Sequence, residues 1–298
     1  MKSELSILIP TFNDYCLPIV MALSQQAEII SGLKYEIIVA DDGSTDSAII
    51  EANRPIADLP NTKLILREKN CGRAAIRNFL AQESQYSKLL FVDCDMTIVR
   101  SDFVSKYLDM INTSAVVYGG YIVGQGLCSC LRYIYEKKAE PHHTTEQRKL
   151  NPYSDFHTSN FMIDRDIMLR IPFDEKFHKY GYEDVLFGKH LQENGVEILH
   201  IDNPVGFCTF EDNSHFVAKT EEGLQTLKEF NKELQGYNGL LDLTQKKHFL
   251  LMKGIILLWH KLFGKLERYN LCGKTPSLFI FKLYKLGYFL SLPNVRRV

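Results

Sequence analysis

The chain has no uninterrupted apolar run of the roughly 18–20 residues that crossing a bilayer requires, so a spanning helix is not expected. Its seven cysteines are scattered and odd in number, and Cys128-Ser129-Cys130 is the closest pair. No cysteine or histidine spacing suits a tetrahedral zinc site. No secretory leader is read ahead of the first apolar run, so reduced thiols in a cytoplasmic compartment are the expectation. Internal repeats and low-complexity tracts are missing too, which excludes solenoids and disordered arrays. What remains is a 298-residue chain with enough aliphatic and aromatic content for one large core and an appendage.

Four short apolar runs stand out, at residues 5–9, 35–40, 63–66 and 89–92. Each ends in a polar cluster. Pro10-Thr11-Phe12-Asn13-Asp14 follows the first and Asp41-Asp42-Gly43-Ser44-Thr45-Asp46 the second. Asn70-Cys71-Gly72-Arg73 follows the third, and Asp93-Cys94-Asp95 the fourth. Helical stretches separate the runs, which reads as a parallel α/β sheet. In such sheets ligands bind beyond the carboxyl ends of the strands, where all four clusters fall. Two carboxylates at a strand exit suit a hard divalent cation, Mn²⁺ or Mg²⁺, that also bridges a diphosphate.

Each motif taken alone has a plainer reading. Asp41, Asp42 and Asp46 are ordinary turn and cap residues. Arg73 and Arg77, four apart on one helix face, serve equally as solvated charges or as partners for phosphate oxygens. A second acidic triplet, Asp164-Arg165-Asp166, reads as a helix start with Asp164 as its N-cap. Glu183-Asp184 opens an amphipathic helix over residues 183–194, where acids are favoured by the helix dipole anyway.

Together the clusters resemble glycosyltransferase family 2, of the nucleotide-diphospho-sugar transferase fold called GT-A. The resemblance is carried by Ile7-Leu8-Ile9-Pro10-Thr11-Phe12-Asn13, by Ile38-Val39-Ala40-Asp41-Asp42-Gly43-Ser44-Thr45-Asp46, by Asn70-Cys71-Gly72-Arg73-Ala74-Ala75-Ile76-Arg77-Asn78 and by Phe91-Val92-Asp93-Cys94-Asp95. Pro172-Phe173-Asp174-Glu175 and Gly181-Tyr182-Glu183-Asp184 extend it to about residue 200. It implies a Rossmann-like, mostly parallel sheet flanked by helices. Residues 1–240 would form the catalytic domain, with a nucleotide-binding half (1–100) and an acceptor-binding half (101–240).

The resemblance also implies roles. Pro10, Thr11 and Asn13 would lie against the nucleotide, and Asp42, with Asp41 beside it, would contact the base, most often uracil. Asn70, Gly72, Arg73 and Arg77 would line the nucleotide and diphosphate pocket. Asp93 would sit near ribose and metal, Asp95 would ligate the metal, and Asp184 would be the catalytic base beside Glu183. Ser159-Asn160 would touch donor sugar or acceptor. The implied reaction is an inverting transfer from a nucleotide sugar, with UDP-sugars the first choice, to a hydroxyl of a glycan or lipid-linked acceptor. Tyr133, Tyr135, His142, His143 and Tyr153 are available for that acceptor. One departure matters. Phe207 stands where many relatives carry a metal-binding histidine; His200 and His215 flank it as substitutes. A sugar-phosphate nucleotidyltransferase would open with a Gly-rich basic loop after the first strand, unlike Pro10-Thr11-Phe12-Asn13. A non-catalytic membrane-bound scaffold would not keep Asp42, Asp93, Asp95 and Asp184.

The net charge of −1 conceals a split. From Lys246 onward eleven Lys and Arg face one acid, Glu267, so this tail carries +10 and the remainder −11. At about 100° per residue, Lys246, Lys247, Lys253, Lys261, Lys265 and Arg268 share one arc. Leu251, Met252, Ile255, Trp259, Leu262, Phe263 and Leu266 take the other side. Residues 241–298 therefore read as a basic amphipathic helical appendage, expected to lie on an anionic inner-leaflet surface at the cytoplasmic face of the membrane. The competing reading is a cover for the catalytic domain or a dimer partner. Nucleic acid is not expected, because no recognition motif accompanies the charge.

Overall fold

The computed structural model describes residues 3–293. Arg296 and Arg297, and the side chains of Lys247 and Leu251 in the amphipathic pattern, lie outside the described residues. The four apolar runs are strands β1 (Glu4–Thr11), β2 (Lys34–Asp41), β3 (Thr62–Leu66) and β4 (Lys88–Val92). Helices α1 (Leu17–Glu28), α2 (Ser47–Asn53) and α3 (Arg73–Glu83) connect them. All four strands run parallel, with Leu8 of β1 level with Ile38 of β2 and Phe91 of β4.

Beyond β4 the chain forms β5 (Thr97–Ile98), α4 (Phe103–Asp109), β6 (Val116–Tyr118), β7 (Tyr121–Val123), α5 (Leu131–Ala139) and α6 (Thr145–Arg148). There follow β8 (Asn160–Asp164), α7 (Arg165–Arg170), α8 (Glu183–Glu193), β9 (Ile198–His200) and β10 (Val205–Phe207). The main sheet has seven strands in the order β3-β2-β1-β4-β8-β6-β9, with β8 antiparallel to both neighbours. A second, small sheet has the order β5-β10-β7. The period-2 alternation of strands divides the core in two. Leu5, Ile7 and Ile9 point to the side packed by α1 and α4. Leu8, Ile38 and Phe91 point to the side packed by α3, α7 and α8.

Four helices follow: α9 (Asn213–Glu229), α10 (Gly239–Gln245), α11 (Lys247–Cys272) and α12 (Leu278–Ser291). The division expected between residues 240 and 241 falls inside α10. Phe289 of α12 shares an apolar cluster with Phe177, Leu186 of α8 and Leu224 and Leu227 of α9. Phe281 and Tyr284 of α12 pack with Leu131 of α5 and Phe216 and Val217 of α9. Thus α12 is built into the molecule. The helix α11 has three faces where the sequence suggested two. Phe249, Ile256, Glu267 and Leu271 are buried. A second face leaves Met252, Ile255, Leu258, Trp259, Leu262, Phe263, Leu266 and Tyr269 exposed, and a third carries Lys261, Lys265 and Arg268. Among the described residues no helix is long and apolar enough to cross a membrane.

Candidate active site

The ends of β1, β2, β3 and β4 deliver their loops to one edge of the sheet. Asn13, left-handed at φ 50°, stitches the first two together. Its side-chain carbonyl accepts from the N–H groups of Thr45 (2.8 Å) and Asp46 (3.0 Å), and its own N–H donates to Ser44 Oγ (2.7 Å). Asp41 accepts from the Ser44 N–H at 2.7 Å. Gly43, at φ +75°, admits no side chain, since a Cβ there would lie 2.5 Å from the Lys69 carbonyl carbon.

Asp42 turns away from solvent. One oxygen accepts from Arg67 Nη1 (2.7 Å), and the other from the N–H groups of Cys71 (3.0 Å) and Gly72 (2.9 Å). Burial raises its carboxyl, against the pull of those donors. Its carboxylate therefore shapes the 70–72 loop. Pro10 is buried within β1, and Thr11, 4% exposed, donates to the Asp14 carbonyl. Asn70 and Arg73 remain exposed at the mouth.

Helix α3 links the two acidic motifs, which lie far apart in sequence. Arg73 Nη2 reaches Asp93 Oδ2 at 3.2 Å, and its Nε donates to Glu183 Oε1 at 2.7 Å. Arg77 Nη2 reaches Asp93 Oδ1 at 2.5 Å and Nη1 lies 4.0 Å from Glu183. Arg77 is 1% exposed. Its guanidinium is committed to these carboxylates, so it organises the site from below rather than meeting a ligand from above. The pair of arginines thereby holds the first turn of α8 opposite the exit of β4.

Helix α8 starts under constraint. Tyr182, its N-terminal neighbour, is left-handed at φ 69°, an uncommon state for an aromatic residue and frequent at functional sites. Asp184 follows in the first turn, partly open to solvent. Its Oδ1 accepts from the Val185 N–H at 2.8 Å, and Oδ2 lies 3.3 Å from His157 Nδ1. Burial would raise the Asp184 carboxyl, but the His157 hydrogen bond and charge hold it below the ordinary carboxylate range.

Asp95 is exposed and free of the arginines that occupy Asp93. Desolvation by the walls of the cleft, then the like charge of Asp93, push its carboxyl up to about 6, with Arg73 and Lys219 of α9 opposing. Among the described residues no group of three or more His, Cys, Asp and Glu is placed to hold a metal. Two carboxylates alone fit Mg²⁺ or Mn²⁺, which commonly takes one or two carboxylates and completes its shell with water and substrate phosphate.

The flanking histidines do not complete that set. His200 is 2% exposed, with Nδ1 against Arg148 Nε (3.3 Å) and Nε2 against the Pro152 carbonyl (2.9 Å). His215 is exposed in the first turn of α9. Phe207 is buried beneath the Arg132 guanidinium, 5.0 Å from its ring centroid. Asn160, expected to touch donor sugar or acceptor, is instead fully buried, where it bonds Tyr107 Oη and the Gly120 carbonyl and cannot reach a sugar. Asp164 occupies the N-cap position of α7 as expected, but its carboxylate pairs with Lys88 at 2.5 Å instead of capping. Of the aromatic and histidine candidates, His143 packs against His157, their rings 5.6 Å apart. His157 escaped the sequence reading. Its partner lies 27 residues away, and a lone histidine before a strand carries no local signal.

A Rossmann-like sheet with acidic strand exits and a carboxylate-headed helix facing them defines a nucleotide-sugar transferase fold of the GT-A type. The family model for glycosyl transferase family 2 matches residues 6–171. The chain belongs to that family. Asp184 lies past the matched stretch, so its place rests on the geometry above and on the motif around it.

Among curated proteins, the chain is 27% identical over 240 residues to the chondroitin synthase of Escherichia coli, covering 68% of this chain and 34% of that protein. It is 25% identical over 240 residues to the chondroitin synthase of Pasteurella multocida, covering 68% and 24%. The chain thus spans about a third and about a quarter of the length of these two relatives. Among solved structures it resembles the Pyrobaculum calidifontis mannosyltransferase PcManGT in complex with GDP-Man and Mn²⁺, with TM-score 0.58, 12% identity, and coverage of 96% and 84%. It also resembles S. aureus TarS 1–349 in complex with UDP-GlcNAc, with TM-score 0.53, 16% identity, and coverage of 96% and 89%. At these identities the likeness shows the fold.

Proposed function

We propose that the chain moves a sugar from a nucleoside-diphosphate sugar, a UDP-sugar first, to a hydroxyl of a glycan or lipid-linked acceptor during polysaccharide or glycolipid synthesis. The observation that carries this reading is the arginine bridge, which sets Asp184 across the cleft from Asp93 and Asp95. The nucleotide lies over the β1 and β2 loops, where Asn13, Asp41 and Asp42 fix the walls and Asn70 and Arg73 face the opening. Asp95, with Asp93, would hold Mn²⁺ or Mg²⁺ together with the diphosphate, and the ion supplies positive charge to the leaving group. Asp184 accepts the proton of the acceptor hydroxyl, which attacks the anomeric carbon from the side opposite the diphosphate and inverts it.

The exposed apolar face of α11, flanked by Lys261, Lys265 and Arg268, fits an anionic bilayer surface, and a lipid-linked acceptor would be met there. Both competing readings of the tail have support: one face of the helical hairpin covers the domain and the other remains free. The test of the donor class is a screen of UDP- and GDP-sugars for Mn²⁺-dependent release of the nucleoside diphosphate. Turnover with at least one donor, lost in Asp95→Ala, supports the reading; activity indifferent to metal and to Asp95→Ala overturns the metal assignment.

A further inference from the structure

The base Asp184 is not alone. We propose that His157 is its positioning residue, a side chain that orients the carboxylate by a hydrogen bond from Nδ1 and sets the pH at which it can accept a proton. The inference rests on the reading of Asp184 as the base.

The geometry leaves Asp184 with a defined free direction. The Val185 N–H holds Oδ1 at 2.8 Å, and His157 Nδ1 stands 3.3 Å from Oδ2. With both oxygens engaged from the protein side, the carboxylate cannot rotate, and its remaining lone pairs face the cleft. His157 itself sits in an aromatic cage. The rings of Tyr118 (6.3 Å), Tyr121 (6.0 Å) and His143 (5.6 Å) meet it edge-on, which fixes the imidazole plane. A caged histidine aimed at one carboxylate differs from a surface histidine that finds a carboxylate by chance.

The charged surroundings decide which protonation state the pair adopts. From α8 comes Asp184, from the preceding loop Asp155, and from α5 Glu136, which accepts from Tyr121 Oη at 3.1 Å. These acids favour the imidazolium. Against it stands burial. Arg148 of α6 lies 5.0 Å from the Tyr118 ring centroid, between His143 and His200 of β9. Burial and the neighbouring cationic groups push His143 and His200 down to about 4, so both stay neutral at neutral pH. For His157 burial also opposes the charge, but its bond to Asp184 outweighs it and the pKa rises above the ordinary histidine value. Of the three histidines, His157 is therefore the first to take up a proton as pH falls.

Removing the imidazole leaves Asp184 desolvated with one fixed oxygen. Its pKa then rises, and the carboxylate protonates at a higher pH. The acid limb of kcat moves upward, because activity is lost as pH falls through the pKa of the base in the bound complex. The test compares His157→Ala and His157→Asn with the intact protein in donor hydrolysis from pH 4 to 9, alongside UDP binding in Mn²⁺ by calorimetry. Expected for His157→Ala is a fall in kcat of about 10–100-fold at pH 7, with donor KM and UDP affinity unchanged. Its acid limb should move to higher pH. His157→Asn, whose amide can donate from nearly the same place, should recover much of kcat while keeping part of the acid-limb shift, since it brings no charge.

If His157→Ala keeps both kcat and the acid limb while Asp184→Asn is inactive, the positioning role is overturned and the base reading survives. If Asp184→Asn turns over normally, the reading beneath the proposal fails instead. A fall in UDP affinity of His157→Ala in step with kcat, not repaired by His157→Asn, marks a merely structural residue and also overturns the proposal.

Discussion

At the scale of single residues, the site is arranged by side chains that a ligand never meets. Arg77 is the clearest case. It is 1% exposed and touches Asp93 and the edge of Glu183. Replacing a buried cation by an apolar residue leaves its carboxylate partners short of a charge. Arg77→Met should cost about 3 kcal/mol in urea unfolding, since breaking a buried ion pair by removing one partner is expensive. A loss below about 1 kcal/mol would mean that Arg73 alone carries both carboxylates. From sequence, Arg77 read as a phosphate partner because spacing reports which helix face a residue shares, not whether that face is covered. The carboxylates were legible for the opposite reason. Asp41, Asp42, Asp93 and Asp95 each sit just after an apolar run, and the physics of parallel sheets places such residues at a common edge. His157 had no such marker, because its meaning comes from a contact made only when β8 and α8 are in place.

At the scale of elements, the helical hairpin shows why amphipathic reading missed one face of α11. The buried face contains His260, Gly264 and Glu267, none of which counts as apolar. Glu267 is 6% exposed, and it accepts from Trp259 Nε1 at 2.8 Å with His260 Nδ1 3.4 Å from its other oxygen. Close approach of α12 is permitted by Gly287, where an added Cβ would stand 2.7 Å from His260 Cβ. Gly287→Ala should therefore push the helices apart and cost about 1–3 kcal/mol, as overpacking does. Phe281, 1% exposed, should cost about 3–5 kcal/mol when cut to Ala, whereas Phe279, 76% exposed, should be nearly silent. Equal effects of the two phenylalanine substitutions in thermal unfolding would contradict the packing of α12. The strands β1 to β4 were readable because apolar runs bounded by Gly, Pro and Asp announce buried parallel strands. The strand β9 was readable from the apolar stretch at residues 196–201, but strands of three residues such as β6 and β10 carry too little pattern to separate from loops, so the antiparallel pairing of β8 was not legible.

At the scale of the whole molecule, charge and apolar surface are segregated. The acidic cleft lies in the first two thirds of the chain and the basic, apolar ridge on α11. Their separation explains a near-neutral total, and it makes the membrane reading testable without cutting the chain, which would strip α12 from the core. In flotation with vesicles containing anionic lipid, the intact chain should float, and release should follow Leu262→Glu with Leu266→Glu or a rise in salt. Equal flotation of intact and substituted chains would locate the contact elsewhere. The central claim is that Asp184 acts as base across a cleft whose other wall binds the donor. Its most direct test is calorimetric UDP binding and donor turnover of Asp184→Asn in Mn²⁺. The expected result is nucleotide affinity within about threefold of the intact protein and turnover lower by at least about 100-fold, the size general-base removal usually carries. Turnover at the intact level would contradict the claim.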